Sequence, residues 1–430
     1  MKSSPSLADA LVGRGLDVSE RSVKSAMFER VVRVFEDHAK SEPHFAWWVP
    51  GRLEVFGKHT DYAGGRTLIA AVPRGFVVVA RPRADGELHV LDAKRGETFV
   101  LHTWDADTHA GWRHYVEVVA RRFSRNFPGA SLGADIVLES DLPRASGMSS
   151  SSALVVAIAT ALARVGGLHA HPQWQTNIRT PIDTASYYGC LENGMTFGTL
   201  AGDAGVGTHG GSEDHAAIVM GVSDTLSAFR FVPMQHLDDV RVPAEWRFVL
   251  SPCGIAARKT GTEMHMYNRL SRGTRLLLEL WNGSEPPADS LGEIAGSAAR
   301  MIRLRQLVRG SRVAGWPPDV LERRLDHFLR EDTRVAHAVD AFRTFDATRL
   351  GRLAAESQAD AESLLGNQIP ETIALARSAR ECGALASCSF GAGFGGSVWA
   401  IVDRAKAGEF ARRWHADAFV ASPGPPLVEL

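Results

Sequence analysis

Cysteine is scarce in this chain: Cys190, Cys253, Cys382 and Cys388 are the four among 430 residues. So few, so widely spread, build no disulfide framework. Cys382 and Cys388 have no second close pair, which excludes a structural zinc site of the usual spacing. The reduced cytoplasm is the compartment that fits. Long apolar runs are missing too: nothing approaches the roughly 18 residues that a membrane-spanning helix needs. The opening MKSSPSLADALVGRGLD holds one early lysine but no continuous apolar stretch, so it does not read as a secretory signal. It reads as a loosely held extension over about the first 20 positions. An excess of charge of one sign is also absent. Lys plus Arg number 48 and Asp plus Glu 49, a net charge of -1. That leaves no broad footprint for nucleic acid or an anionic membrane, although a local basic pocket stays open. The expected partners are therefore small molecules, with the chain a monomer or weak homodimer.

What is present is the composition of an ordinary globular enzyme, 45% apolar and 23% charged. Val23, Met27, Phe28, Val31, Val34 and Phe35 recur at helical spacing and predict a helix over 23–40. Strands are predicted at Ala46–Val49, Arg52–Phe56, Thr67–Val72, Phe76–Arg81, Glu87–Leu91, Glu97–Leu101 and Ala134–Glu139, punctuated by glycine, proline and aspartate. Helices are predicted over 111–127, at Ala153–Val165 before Gly166-Gly167, and over 182–195. A glycine-rich loop occupies 196–212. Strand character resumes at Ile218–Met220, Phe229–Val232 and Arg247–Ser251. A long helix follows over 261–281, then a mostly helical stretch over 285–380 with breaks near Gly315–Pro318 and Ile369–Pro370. Ser397–Val402 reads as strand and Ala405–His415 as helix. Strands and helices mix without regular βαβ alternation, which favours an α+β fold. A soft boundary near 221–226 divides the chain into 20–222 and 223–430.

The sharpest local feature is LPRASGMSSSSAL, residues 142–154. A strand enters it and an apolar helix leaves it. The first turn of a helix offers unpaired N–H groups and the positive end of the dipole, and small residues let an anion come close. Ser149, Ser150, Ser151 and Ser152 add hydroxyls there. One or two could ligate Mg²⁺ or bond the β- and γ-phosphates of ATP. It is not a Walker A loop, because Gly-Lys-Ser/Thr is absent. A serine-rich helix cap without a ligand stays open on these residues alone. The segment resembles the second motif of the GHMP kinases, Pro-x-x-x-Gly-Leu-Ser-Ser-Ser-Ala: Pro143, Gly147, Ser149, Ser150 and Ser151 match, with Met148 for leucine and Ser152 for alanine.

The second feature is PGRLEVFGKHTDYAGG, residues 50–65. Carboxylate and imidazole suit vicinal hydroxyls, and arginine suits phosphate. The segment is similar to the galactokinase signature Gly-Arg-x-Asn-x-x-Gly-Glu-His-Thr-Asp-Tyr-x-x-Gly. Gly51, Arg52, Gly57, His59, Thr60, Asp61, Tyr62 and Gly65 match. The resemblance implies that Arg52 lies beside a catalytic aspartate and that His59 and Asp61 bind sugar hydroxyls. Glu54 stands for the family's asparagine and Lys58 for its glutamate, which contacts the outer hydroxyl at C6 of galactose. A lysine offers donors only, so Lys58 in a substrate-binding role would favour an acceptor or anion there: a uronic, otherwise C6-modified or longer sugar. Alternatively Lys58 turns to solvent and galactose still binds.

The third feature, GVGTHGGSEDHAAIVMG at 205–221, resembles the galactokinase Gly-x-Met-Asp-Gln segment, which puts Asp214 at the catalytic aspartate. Glu213 and His215 replace its methionine and glutamine. YGCLENGM at 188–195 resembles the family's Ala-Glu-His/Asn segment and implies Glu192 as a carboxylate near the metal. CSFGAGFGGSVWAIV at 388–402 resembles the third GHMP motif; Gly391, Gly393, Gly395 and Gly396 match, and its glycines, Gly391 and Gly393 among them, are implied at the ATP site. Its loop leads into a strand, which argues against a dinucleotide fold. TEMHMYNRLSR at 262–272 resembles a galactokinase helix whose tyrosine touches the sugar, here Tyr267; a packing tyrosine is the alternative.

Together the motifs imply a two-domain GHMP-kinase fold, an N-terminal half like ribosomal protein S5 domain 2 and a ferredoxin-like C-terminal half, with the site in the cleft. They imply an ATP- and Mg²⁺-dependent kinase acting on the anomeric hydroxyl of galactose or a similar sugar. A non-catalytic sugar/ATP regulator on the same fold and a kinase for a non-sugar alcohol are the competing readings.

Overall fold

The computed structural model describes residues 6–102, 110–143, 146–255 and 262–430. Two sheets organise it. The first has eight strands: β1 (Phe45–Phe56), β2 (Arg66–Pro82), β3 (Leu88–Asp92), β4 (Glu97–Leu101), β5 (Ala134–Ser140), β6 (Thr225–Arg230), β7 (Gln235–Arg241) and β12 (Val428–Glu429). Their order is β12-β1-β2-β5-β3-β4, with the β6–β7 hairpin also pairing on β2. Only β3–β5 is parallel among these pairs. The second sheet orders β11 (Phe419–Ala421), β8 (Trp246–Pro252), β10 (Ser397–Asp403) and β9 (Ala386–Phe390). The predicted α+β character holds.

Strands β6, β7 and β12 come from beyond residue 222, yet they lie in the first sheet. The sequence boundary at 222/223 therefore does not coincide with a division between the sheets.

The helices before residue 222 are α1 (Leu7–Val12), α2 (Arg21–Ala39), α3 (Trp112–Asn126), α4 (Ser150–Val165), α5 (Pro172–Asn177), α6 (Pro181–Asn193) and α7 (Glu213–Met220). Those after it are α8 (Thr262–Asn282), α9 (Leu291–Ala295), α10 (Ala298–Gly310), α11 (Pro318–Arg343), α12 (Ala347–Asp360), α13 (Pro370–Glu381) and α14 (Ala407–Trp414). No helix among the described residues is long and apolar enough to cross a membrane.

Strand β1 is buried along nearly its whole length, because helices cover both faces of the sheet. Trp47, Val49, Leu53 and Val55 join the core beneath α4, whereas Ala46 and Trp48 pack with Phe28, Val31 and Phe35 of α2. Helix α4 is apolar around most of its circumference and correspondingly buried; Val155, Ile158 and Leu162 are fully enclosed. Each such side chain contributes roughly 1.5–3 kcal/mol.

Three expectations change. Residues 6–20 are not a loose extension: α1 packs Leu11 into the α2 core, and Leu16 follows it there. The break expected between Val72 and Phe76 vanishes, since β2 runs through it, while β1 continues past Pro50 as expected, with a register shift between Pro50 and Arg52. Ile218–Met220 is the end of α7, not a strand. Its run was too short for periodicity to separate the two states. Glu213 and Asp214 begin that helix, where the dipole favours acidic groups.

Candidate active site

Arg52, Gly147, Ser152 and Asp214 meet. Arg52 lies mid-β1 and donates from Nε to Asp214 Oδ1 at 2.6 Å and from Nη1 to the Gly147 carbonyl at 3.3 Å. Ser152, in the first turn of α4, donates to Asp214 Oδ2 at 3.1 Å. The carboxylate of Asp214 is thus fixed at both oxygens by two segments distant in sequence. Together they border a cavity of about 930 Å³, a size suited to small ligands.

The serine loop is not a simple helix cap. Ser149 precedes α4 with φ 58° and makes no side-chain cap bond. Its buried hydroxyl has no partner among the described residues. The first turn of α4 thus has no side-chain cap and opens on the cavity that Ser149, Ser150, Ser151 and Ser152 border. Gly147 has φ +74°, and a Cβ on Gly391 would lie 2.8 Å from the Gly147 carbonyl. Ser397 Oγ donates to the Ser146 carbonyl at 2.6 Å, locking the two glycine loops together.

His59, Asp61 and Tyr267 border the same cavity. His59 Nε2 lies 3.1 Å from the Ala392 carbonyl, so that nitrogen carries the proton and Nδ1 accepts from Tyr62 Oη at 2.9 Å. Asp61 Oδ2 accepts from the Glu213 amide at 3.2 Å, at the start of α7. Glycine is required at 211, where a Cβ would fall 1.9 Å from that oxygen. Burial raises the Asp61 pKa, against the Glu213 amide, which lowers it.

Two expected residues lie elsewhere. Lys58 does not border the cavity; it is 1% exposed and turned toward α11, α12 and β9. Its Nζ donates to Ser357 Oγ at 2.9 Å and to Cys388 Sγ at 3.0 Å. Ser357 donates in turn to Glu331 Oε1 at 2.9 Å. Burial disfavours the lysine's charge, but Cys388, Glu331 and Glu54 outweigh it and raise its pKa. Lys58 is an internal tie between the halves, outside the lining of this cavity. Gly393 packs instead on Asn367, whose side chain would sit 2.4 Å from a Cβ there; Gly391 and Ala392 are the loop residues at the cavity.

Glu192 borders the cavity, 3.0 Å from His215 Nε2. Ser150 and Ser151 border the same cavity and, like Glu192, offer oxygen donors, the chemistry that a hard ion such as Mg²⁺ takes. These residues fit the metal that the fold implies.

Sequence reasoning assigned no role to Glu54 and Glu213, yet both sit against Arg52. Its Nη2 is 2.8 Å from Glu213 Oε1, 2.5 Å from Asp214 Oδ1 and 3.8 Å from Glu54 Oε2. Burial disfavours the Arg52 charge, but Asp214, Glu213 and Glu54 hold it cationic. One guanidinium cannot neutralise three buried carboxylates. Burial, then the Glu54 charge, pushes Glu213 well above the usual range. A raised folded-state pKa stabilises below the unfolded value and loses that contribution as pH rises through the folded one. Glu213→Gln is therefore expected to flatten the fall in stability with rising pH, gaining more at pH 8 than at pH 5 in thermal denaturation. An equal change at both would contradict a buried, proton-holding Glu213.

Three family models match in order along the chain. The galactokinase galactose-binding signature covers residues 33–82, the GHMP kinase N-terminal domain 114–179 and the GHMP kinase C-terminal domain 338–421. The chain is a galactokinase-like GHMP kinase. Galactokinase of Chloroflexus aggregans is 29% identical over 394 residues, 89% of this kinase and 91% of that protein. Galactokinase of Pasteurella multocida is 26% identical over 402 residues, 91% and 94% of the two chains. The crystal structure of Lactococcus lactis galactokinase complexed with galactose superposes with a TM-score of 0.75 at 22% identity, covering 95% of this kinase and all of that chain. A mevalonate kinase structure gives 0.55 at 12% identity, covering 88% and 98%. The kinase is a sugar kinase on the GHMP fold.

Proposed function

We propose that this kinase transfers the γ-phosphoryl group of ATP to the anomeric hydroxyl of galactose or a close relative. The observation that carries the reading is the Asp214 carboxylate, held at one oxygen by Arg52 and at the other by Ser152 of the serine loop. Phosphoryl transfer needs positioning and charge neutralisation more than covalent chemistry. Asp214 takes the proton of the attacking hydroxyl, and Arg52 keeps it ionised and faces the developing charge. The α4 amides, with Ser149 to Ser152, Gly147 and Gly391, receive the phosphates. His59, Asp61 and Tyr267 bind sugar hydroxyls. Ser150, Ser151 and Glu192 would hold Mg²⁺, which when bound neutralises phosphate charge.

The acidic character of the cavity favours a neutral sugar. Glu54 and Asp214 border it close to His59 and Asp61, and a uronate would bring another anion against them. A coupled ADP-release assay over a sugar panel tests this. Galactose is expected to turn over, with galacturonate at least about tenfold poorer in kcat/KM. Equal or better use of galacturonate would overturn the neutral-sugar reading. Nucleotide binding without ADP release on any sugar would favour a regulator.

A further inference from the structure

The face of the first sheet opposite the cavity carries a cluster that sugar phosphorylation does not use. His89 on β3 and Asp135 on β5 are paired in the parallel register. Their side chains therefore emerge side by side on one face. Val137 packs with the α2 core while Ile136 and Leu138 join the α4 core, so odd positions of β5 face α2. His38, in the last turn of α2, completes the group from above.

The donor atoms converge. His38 Nε2 lies 3.6 Å from Asp135 Oδ1, and His89 Nδ1 lies 3.9 Å from the same oxygen. All three fall within 4.8 Å of one another. The tautomer of His89 is set from behind. Its Nε2 lies 2.8 Å from Glu87 Oε2 and donates the proton there. That leaves a lone pair on Nδ1, which is buried and has no hydrogen-bond partner among the described residues. That lone pair and Asp135 Oδ1 face each other across 3.9 Å, two acceptors that a shared cation would join. A carboxylate on the far nitrogen of a ligating histidine is the usual support of a metal ligand.

We propose that His38 Nε2, His89 Nδ1 and Asp135 Oδ1 form a divalent transition-metal site, with zinc the ion that this donor set suits best. Two imidazoles and one carboxylate with an open position match zinc's ligand preferences. Arg83 Nη1 donates to Asp135 Oδ1 at 2.8 Å. Metal binding displaces that contact, and Arg83 retains Asp85. His38 and His89 side chains are 27% and 16% exposed, which gives an ion access from solvent. Occupancy would tie the end of α2 to the sheet.

The test uses the full chain, freed of metal by chelation and without nucleotide. Titration with Zn²⁺ by calorimetry, and with Co²⁺ by visible d–d absorption, is expected to give one strong site per chain. Added Zn²⁺ is expected to raise the wild-type Tm. His38→Gln and His89→Gln should each weaken binding by about tenfold or more and abolish the Tm rise. Retained sugar phosphorylation in both variants shows that they are folded; should His89→Gln fail that check, His38→Gln alone decides. No stoichiometric binding by the wild type, or binding unchanged in the variants, overturns the site.

Discussion

Asp214→Asn is expected to lower turnover by about 10²- to 10⁴-fold while ATP still binds. Asparagine keeps the shape of the side chain and an oxygen for Arg52, so the cradle at 147–152 should persist. It cannot take a proton. Glu213 is a poor substitute, since burial and the neighbouring Glu54 charge keep its own proton in place. ADP release measures the loss, and nucleotide titration separates it from a binding defect. A rate within about threefold of wild type would remove Asp214 from the chemistry.

The second large effect concerns stability. Lys58→Glu is expected to destabilise the kinase by about 3–5 kcal/mol, the range for an uncompensated charge in a buried pair. The new carboxylate would face Glu331 across the space now held by the ammonium. Lys58→Met should cost less, because Glu331 keeps Arg334 at 2.8 Å and the Gly57 amide at 3.0 Å. Denaturant unfolding of both variants measures the difference. A Lys58→Glu variant of wild-type stability with altered sugar preference would return this residue to the substrate site.

Lys58 also marks the limit of what the sequence discloses. The signature GRLEVFGKHTDYAGG carries Arg52, His59 and Asp61 on a single strand and turn, and all three border one cavity. It does not say which way a residue within the turn points. That direction is decided by α11, α12 and β9, about 270 to 330 residues later in sequence order. The same distance hides Glu54 and Glu213, whose meaning emerges only when β1 and the start of α7 share Arg52. Strand and helix types survived where runs were long, as in α4 and β5. They failed at Ile218–Met220, where three apolar residues carry no period. The β6–β7 hairpin and β12 return to the first sheet through long-range pairing that no local pattern encodes.

Soaking or co-crystallising the protein with galactose and a non-hydrolysable ATP analogue puts the proposal to its most direct trial. The sugar's C1 oxygen should appear roughly 2.6–3.2 Å from Asp214, with the terminal phosphate seated on the amide groups that open α4. Sugar or triphosphate bound on another face of the molecule, or a C1 oxygen remote from that carboxylate, would contradict it.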